Sequence, residues 1–168
     1  MKRIFFFIPL LFILCGCSTL TETPPQIQTA FSANAAVTIG EQKLTCTVTR
    51  IPQGAETISL VTPEALNGIT YKWLDGKCTI IYGELEFQTD SLFLPDNTFV
   101  SCWIDLWQSI DTAVYETTEN ETARFSGTCK NGAFTVYVNA KNGLAERIVV
   151  PALDMEVKLS NAKIIETA

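Results

Sequence analysis

The chain contains no histidine among its 168 residues. Histidine is the commonest general base near neutral pH and the commonest transition-metal ligand in proteins. Its absence excludes Ser-His-Asp and Cys-His catalytic arrangements built from this chain alone, and we expect neither a metal site nor a cofactor. Carboxylates are present, so acid–base chemistry by aspartate or glutamate is not excluded by composition.

The sequence also lacks an apolar run long enough to cross a bilayer. Its most apolar stretch, Ile4–Leu14, has eleven residues and includes Pro9, whereas a spanning helix needs about 20. Lys2 and Arg3 precede the stretch, and small residues follow it. A basic start, a short apolar run and small residues at the cut form the layout of an export signal.

The four residues Leu14-Cys15-Gly16-Cys17 resemble the lipobox of bacterial lipoproteins. That motif has an aliphatic residue three positions before the modified cysteine and a small residue just before it. The resemblance implies that residues 1–16 are a cleaved signal and that Cys17 carries the lipid. We therefore expect a protein anchored on the extracytoplasmic face of the cell membrane. If the host has two membranes, Ser18 after the lipidated cysteine allows sorting to the outer one.

The mature chain divides into a tether and one domain. Residues 17–30 comprise the lipidated cysteine and a flexible spacer rich in Thr, Ser and Pro, a composition that cannot bury enough surface to fold. Residues 31–168 have the length of a single domain. Loss of Lys2 and Arg3 takes the net charge from −6 to −8. An acidic domain repels phosphate backbones, so nucleic acid is not an expected partner.

Four cysteines lie in the domain itself, namely Cys46, Cys78, Cys102 and Cys129. An exported compartment permits disulfides, and four cysteines allow three pairings. Each also lies among apolar residues, which suits a small buried thiol equally well. The sequence leaves two disulfides and four buried thiols as alternatives.

Apolar and polar residues alternate along much of the domain, which predicts strands with one buried face. Asp75-Gly76, Asn131-Gly132 and Asn142-Gly143 supply the residues that tight hairpin turns require. Near Gly83 the apolar residues change from even-numbered to odd-numbered positions, which predicts a glycine bulge. The segment Glu116–Glu121 is predicted to be an acidic loop. The clearest alternating segments are Phe31–Ile39, Leu44–Val48, Phe134–Val138 and Met155–Leu159.

One segment has helical spacing instead. The pattern predicts an amphipathic helix from about Asn97 to Val114, capped by Asp96 or Asn97, and a second, shorter helix is placed around Pro63–Leu66. The predicted fold is α+β and mostly β, a curved antiparallel half-barrel sheet packed around the long helix. The apolar residues at helical spacing are Phe99, Trp103, Leu106, Trp107, Ile110 and Val114.

Two further stretches carry a family resemblance. Pro63–Ile69 leads into Tyr71-Lys72-Trp73 and the Asp75-Gly76 turn, and Asn142-Gly143-Leu144 leads into Ile148–Pro151. This layout resembles small lipoproteins related to the lipoprotein-carrier (LolA/LolB-like) superfamily. The resemblance implies a half-barrel wrapped around helices, with an apolar cavity that holds acyl chains of lipids or lipoproteins and no catalytic residues.

Three functions follow as hypotheses. The first is an anchored protein that binds lipid or another apolar ligand between sheet and helix. The second is a non-catalytic envelope scaffold with a fully packed core, and the third is an enzyme using carboxylate pairs such as Glu84 with Glu86 or Asp154 with Glu156. We expect the first and expect no catalysis. The predicted ligand-binding residues are Phe99, Trp103, Leu106, Trp107 and Ile110 on the helix, and Tyr71, Trp73, Ile80 and Phe87 on the strands.

Overall fold

A computed structural model describes residues 23–51, 54–90, 94 and 98–166 of the chain. The predicted signal and the predicted lipid attachment at Cys17 lie outside these residues. Within the described part, no helix has both the length and the apolar character needed to span a membrane.

The described residues form one open antiparallel sheet of eleven strands, in the order β6-β5-β4-β3-β2-β1-β11-β10-β9-β8-β7. The strands are β1 (Phe31–Ile39), β2 (Gln42–Arg50), β3 (Glu56–Thr62), β4 (Thr70–Leu74), β5 (Lys77–Tyr82), β6 (Leu85–Asp90), β7 (Val114–Glu119), β8 (Thr122–Cys129), β9 (Gly132–Asn139), β10 (Ala145–Val150) and β11 (Met155–Ile164). The chain therefore runs outward from central β1 to edge strand β6, crosses to the opposite edge at β7, and returns strand by strand to β11 beside β1. The predicted curved, mostly β sheet is confirmed.

The crossing between the two edge strands contains the helix α1 (Phe99–Ser109). This connection passes from one edge of the sheet to the other, and the buried apolar residues of the helix place it against the inner face. The helix packs on β8, and its apolar side chains join the strand residues in one continuous core. The helix therefore packs against the inner face of the curved sheet, as the sequence predicts.

The helix is shorter than the sequence pattern indicates. It begins after Thr98, whose hydroxyl accepts from the Ser101 backbone amide at 3.3 Å, while the Thr98 amide donates to the Ser101 hydroxyl at 3.2 Å. This reciprocal capping box corrects the predicted cap at Asp96 or Asn97. A three-residue 3-10 turn starting at Ile110 follows the helix. Val114 belongs to edge strand β7 and is exposed, so its helical spacing is coincidental.

The predicted second helix is a single 3-10 turn, Glu64–Leu66, with no buried residue. Because only Leu66 of this turn packs, partly buried, against the core, the segment gains too little from packing to propagate an α-helix. Within the described residues α1 is the one α-helix.

Two loop predictions also require correction. Near Gly83 the structure has a hairpin turn instead of a bulge, since Tyr82 pairs with Leu85 across Gly83-Glu84. A two-residue turn reverses the chain, so the inward-facing residues are even-numbered before the turn and odd-numbered after it. This explains the change in the apolar pattern. The predicted acidic loop is strand β7 as far as Glu119, followed by a turn at Asn120 and Glu121, both with positive φ.

The segment just before β1 contacts the turn between β9 and β10. The Gln28 amide donates to the Gly143 carbonyl at 2.8 Å, and Ile27 packs against the core. Gly143 has a φ of +74°, and a Cβ there would clash with the Gln26 carbonyl oxygen. The late turn therefore needs glycine both for its backbone conformation and for this close approach.

The Gly127–Phe134 cross-strand pair generates a stability prediction. A Cβ on Gly127 would lie 2.5 Å from Cζ of Phe134, whose side chain is fully buried. We expect Gly127→Ala to lower the free energy of unfolding by about 1–3 kcal/mol through overpacking. Urea unfolding measures this loss. In a Phe134→Leu background the same alanine should cost clearly less; an equal cost in both backgrounds would show that the contact with Phe134 is not the cause.

Candidate functional site

Strand registers define rows of side chains that cross the inner face. Each residue of a row lies opposite its neighbours on the adjacent strands, and period-2 alternation puts the whole row on one face. The row through the middle of the sheet is Ala33, Val48, Ile58, Tyr71, Ile80 and Phe87, from β1 to β6. The predicted inward positions Tyr71, Ile80 and Phe87 therefore occupy one line.

Burial falls steadily along this row. Val48 and Ile58 are fully buried, Tyr71 and Ile80 are half-buried, and Phe87 is 62% exposed. On the next row, Tyr82 lies opposite Leu85, and these side chains are 56% and 74% exposed. The inner face is thus covered near β1–β3 and uncovered toward the β6 edge.

We call the uncovered inner surface the apolar wing and define it as Tyr71, Ile80, Tyr82, Leu85 and Phe87. No charged side chain occupies an inward position on β4, β5 or β6, where the remaining inward residues are Trp73, Cys78 and Thr89. The charges of these strands lie at alternate, outward positions: Lys72, Lys77, Glu86 and Asp90. The wing therefore presents bulky, uncharged side chains to solvent.

The helical residues of the predicted binding set are placed differently. Phe99, Trp103, Leu106, Trp107 and Ile110 are all buried. Phe31 of β1 contacts both tryptophans, with ring centroids 5.1 Å from Trp107 and 6.4 Å from Trp103, and the two tryptophan rings are 5.6 Å apart. These rings fill the space between helix and sheet. Trp73 is buried with them, so the exposed apolar surface lies beside the helix and not beneath it.

A buried ion pair anchors the covered half of the site. Arg50 Nε donates to Glu56 Oε1 at 3.1 Å, and the Glu56 side chain is 2% exposed. The Arg50 guanidinium also donates to the carbonyls of Thr29, at 2.8 Å, and Trp107, at 3.4 Å. It lies 5.4 Å from the Trp107 ring centroid. Arg50 therefore ties the segment before β1 and the last turn of the helix to strands β2 and β3.

Sequence reasoning missed this pair, although a signal was present. Arg50 continues the inward alternation of Cys46 and Val48, and Glu56 begins that of Ile58 and Leu60. Opposite charges at inward positions of two strands joined by a short turn predict a buried, paired contact.

The electrostatics of the pair are dominated by burial. Desolvation raises the pKa of Glu56 to about 7, against the opposing effects of the Arg50 charge, the Arg50 hydrogen bond and the Trp103 indole. Glu56 Oε2 and Trp107 Nε1 are buried without a hydrogen-bond partner. An unsatisfied buried polar atom costs about 1–3 kcal/mol, so these two atoms oppose part of the stabilisation that the surrounding apolar core provides.

The carboxylates considered for catalysis do not converge. Glu84 lies in the β5–β6 turn and Glu86 on the strand after it. Asp154 sits in a left-handed turn before β11, while Glu156 accepts from Arg147 Nε at 2.5 Å and lies 3.6 Å from Lys158 Nζ. Among the described residues, no three His, Cys, Asp or Glu side chains are grouped to hold a metal ion.

The four cysteines of the domain are free thiols. Cys46, Cys78 and Cys102 are buried, and Cys129 is partly exposed. Burial raises the pKa of each.

No family model matches this chain, and no curated protein matches it. Solved structures resemble its fold. An uncharacterized conserved protein from Thermus thermophilus superposes with a TM-score of 0.55 and 15% identity, over 84% of this chain and 82% of that one. A LolA superfamily protein from Nitrosomonas europaea gives a TM-score of 0.47 and 9% identity, over 86% of this chain and 90% of that one. A putative outer membrane lipoprotein-sorting protein domain from Vibrio parahaemolyticus gives 0.41 and 7%, over 80% and 84%.

The first of these likenesses shows that the fold has a solved counterpart. The other two superpose too loosely to carry a conclusion about function. Membership of the LolA/LolB-like superfamily therefore remains a prediction that rests on the sequence resemblance.

The raised pKa of Glu56 generates a pH prediction. Because the folded protein binds this proton more tightly than the unfolded chain, its contribution to stability is complete below about pH 4.5 and is lost as the pH rises through about 7. Relative to Glu56→Gln, which stays neutral, the wild type should lose on the order of 3 kcal/mol of unfolding free energy over that range. Urea unfolding of both proteins between pH 4.5 and 8 measures the difference.

Glu86→Gln, on the exposed outer face of β6, is the matched control and should follow the wild type. A wild-type protein that gains stability over Glu56→Gln as the pH rises would mean that the attraction of Arg50 outweighs desolvation.

Proposed function

We propose that this chain is an extracytoplasmic lipoprotein, held on the membrane by acyl chains at Cys17, that binds lipid or another apolar ligand on the apolar wing. The observation that carries the proposal is the wing itself. It continues the buried inner face of the sheet without a break, yet Tyr82, Leu85 and Phe87 are each more than half exposed. A soluble protein rarely leaves such a continuous apolar surface in water without a use for it.

The size of the wing suits a ligand of modest length. Its three most exposed side chains leave on the order of 400 Å² of surface in water. Covering that surface contributes at most about 10 kcal/mol at the usual coefficient. Part of this is offset by the lost freedom of the ligand, which leaves room for micromolar affinity.

The anchor at Cys17 is supported by the lipobox resemblance and by the segment that follows it. A single acyl chain gives only marginal membrane binding, and two or more give stable attachment. Residues 18–25 separate Cys17 from Gln26, which lies against the late turn at Gly143. A spacer of this kind holds the domain near a lipid surface.

We further propose that the protein is not an enzyme. The carboxylates suggested by sequence are either dispersed or bound in ion pairs, as Glu156 is with Arg147. The buried carboxylate, Glu56, faces Arg50 and the tryptophans of the core. Its neighbours toward the wing are buried apolar residues: Trp73 lies directly opposite it on β4, and Ile58 lies two residues along β3.

The alternative is a scaffold protein that uses the same wing to dock an envelope protein. The complete burial of the helical tryptophans favours this alternative, because the helix–sheet core is filled without a ligand. The two functions differ in what the isolated chain binds. If the protein binds lipid, a free fatty acid or phospholipid binds the wing of the isolated chain. If the protein is a scaffold, neither lipid binds there.

Binding of a fluorescent fatty acid tests the proposal. We expect cis-parinaric acid to bind the chain from residue 18 onward, which contains every described element, and Phe87→Asp to weaken that binding by about tenfold or more. The aspartate removes apolar contact and places a charge beside the acyl chain. The measurement is a fluorescence titration at fixed salt and pH.

Leu74→Asp is the matched control. Leu74 is similarly exposed but lies on the outer face of β4, so the variant should bind like the wild type. Equal weakening by both variants, or no binding by the wild type, would contradict lipid binding on the wing and would favour the docking alternative.

A further inference from the structure

Helix α1 meets the β8–β9 turn through a small cluster that the proposed function does not use. Asp105 of the helix accepts from the Asn131 side-chain amide at 3.4 Å. Asn131 follows Cys129 by two residues, in the turn where Cys129 pairs with Gly132. Asp105 also interacts with the Cys129 thiol. The helix therefore lies directly over this turn.

Cys102 belongs to the same contact. It precedes Asp105 by three residues, so both project from one face of the helix. Its side chain is fully buried where the helix packs on β8, the strand that ends at Cys129. The groups whose charge acts on Cys102 are Cys129 and Asp105. Two thiols from distant parts of the chain thus share one contact between helix and sheet.

The other two cysteines lie on different strands, and the strand registers give their neighbours within the sheet. Cys46 pairs with Ala35 and Leu60 on either side, and Cys78 pairs with Trp73 and Thr89. They lie on β2 and β5, three strand spacings apart, or about 14 Å at 4.8 Å per spacing. A disulfide requires Cα atoms within about 7 Å, so Cys46 and Cys78 do not bond to each other.

We infer that Cys102 and Cys129 form the single disulfide of this domain under oxidising conditions, and that Cys46 and Cys78 stay reduced. The bond would join the helix covalently to the β8–β9 hairpin and hold it against the inner face of the sheet. Of the three ways to pair the four cysteines, this bond belongs to the one that joins Cys102 to Cys129 and Cys46 to Cys78. The second bond of that pairing does not form. The inference does not depend on what the apolar wing binds.

The oxidant is an organic disulfide or a thiol–disulfide oxidoreductase in its disulfide form. The partly exposed Cys129 reacts first: its thiolate attacks one sulfur of the oxidant, forms a mixed disulfide and releases one thiolate. Cys102 then loses its proton and attacks the Cys129 sulfur, which releases the second thiolate. Two protein thiols and one external disulfide become one protein disulfide and two external thiols. Because burial raises the pKa of both cysteines, the exchange is slow at neutral pH.

Peptide mapping after controlled oxidation tests the inference. The chain from residue 18 onward, which holds only the four cysteines of the domain, is reduced and equilibrated with oxidised glutathione at about pH 9. It is then brought to about pH 7, denatured with N-ethylmaleimide already present so that no further exchange occurs, and digested for mass spectrometry. We expect one peptide that links Cys102 to Cys129, with maleimide on Cys46 and Cys78. We also expect the folded-to-unfolded ratio in urea to rise on the order of a hundredfold on oxidation, since the bond closes a loop of more than 20 residues.

Two variants make the result specific. Cys129→Ser should leave Cys102 labelled with maleimide and should abolish the increase in stability. Cys78→Ser should retain both the linked peptide and that increase. The inference is overturned if Cys102 and Cys129 both carry maleimide or glutathione after equilibration. It is also overturned if the linked peptide joins any other pair of these four cysteines.

Discussion

The structure depends on a mismatch between one short helix and one wide apolar face. Eleven strands at 4.8 Å per spacing make a sheet about 48 Å wide, while an eleven-residue helix is about 16 Å long and 10–12 Å across. The helix lies against the part of the sheet that includes β8, and with Phe31 it closes the core around the two tryptophans. The inner face toward β6 is not covered by the helix. The apolar wing lies in this uncovered part.

The connectivity explains why the helix stops where it does. The crossing from β6 to β7 must bring the chain to the far edge, and Arg50 fixes the end of the helix by donating to the Trp107 carbonyl. Carbonyls in the last turn of a helix lack partners within the helix, so the largely buried Arg50 guanidinium is well placed to donate to one of them. The same guanidinium donates to Glu56 of β3. Arg50 therefore joins the end of the helix to strands β2 and β3 through one side chain.

Much of the fold was accessible from sequence because alternation identifies which side chains face inward. It predicted β1 to both ends, β9 to within two residues and the first half of β11. It also put Tyr71, Trp73, Ile80 and Phe87 on the inner face together. Alternation does not say what covers that face, so it did not separate buried Trp73 from exposed Phe87. The helix was located correctly but drawn too long, because Val114 matched the spacing and only the strand pairing with Ser126 shows otherwise. Arg50 and Glu56 were missed because inward parity was read for apolar residues alone.

The central claim is that the wing, and not the space beneath the helix, receives the apolar ligand. Photo-crosslinking with a diazirine-bearing fatty acid, followed by peptide mapping, tests it most directly. The account predicts adducts on β4–β6 at Tyr71, Ile80, Tyr82, Leu85 and Phe87. Adducts concentrated on the helical residues Trp103 and Trp107, or on outward Leu74 and Val114, would contradict it.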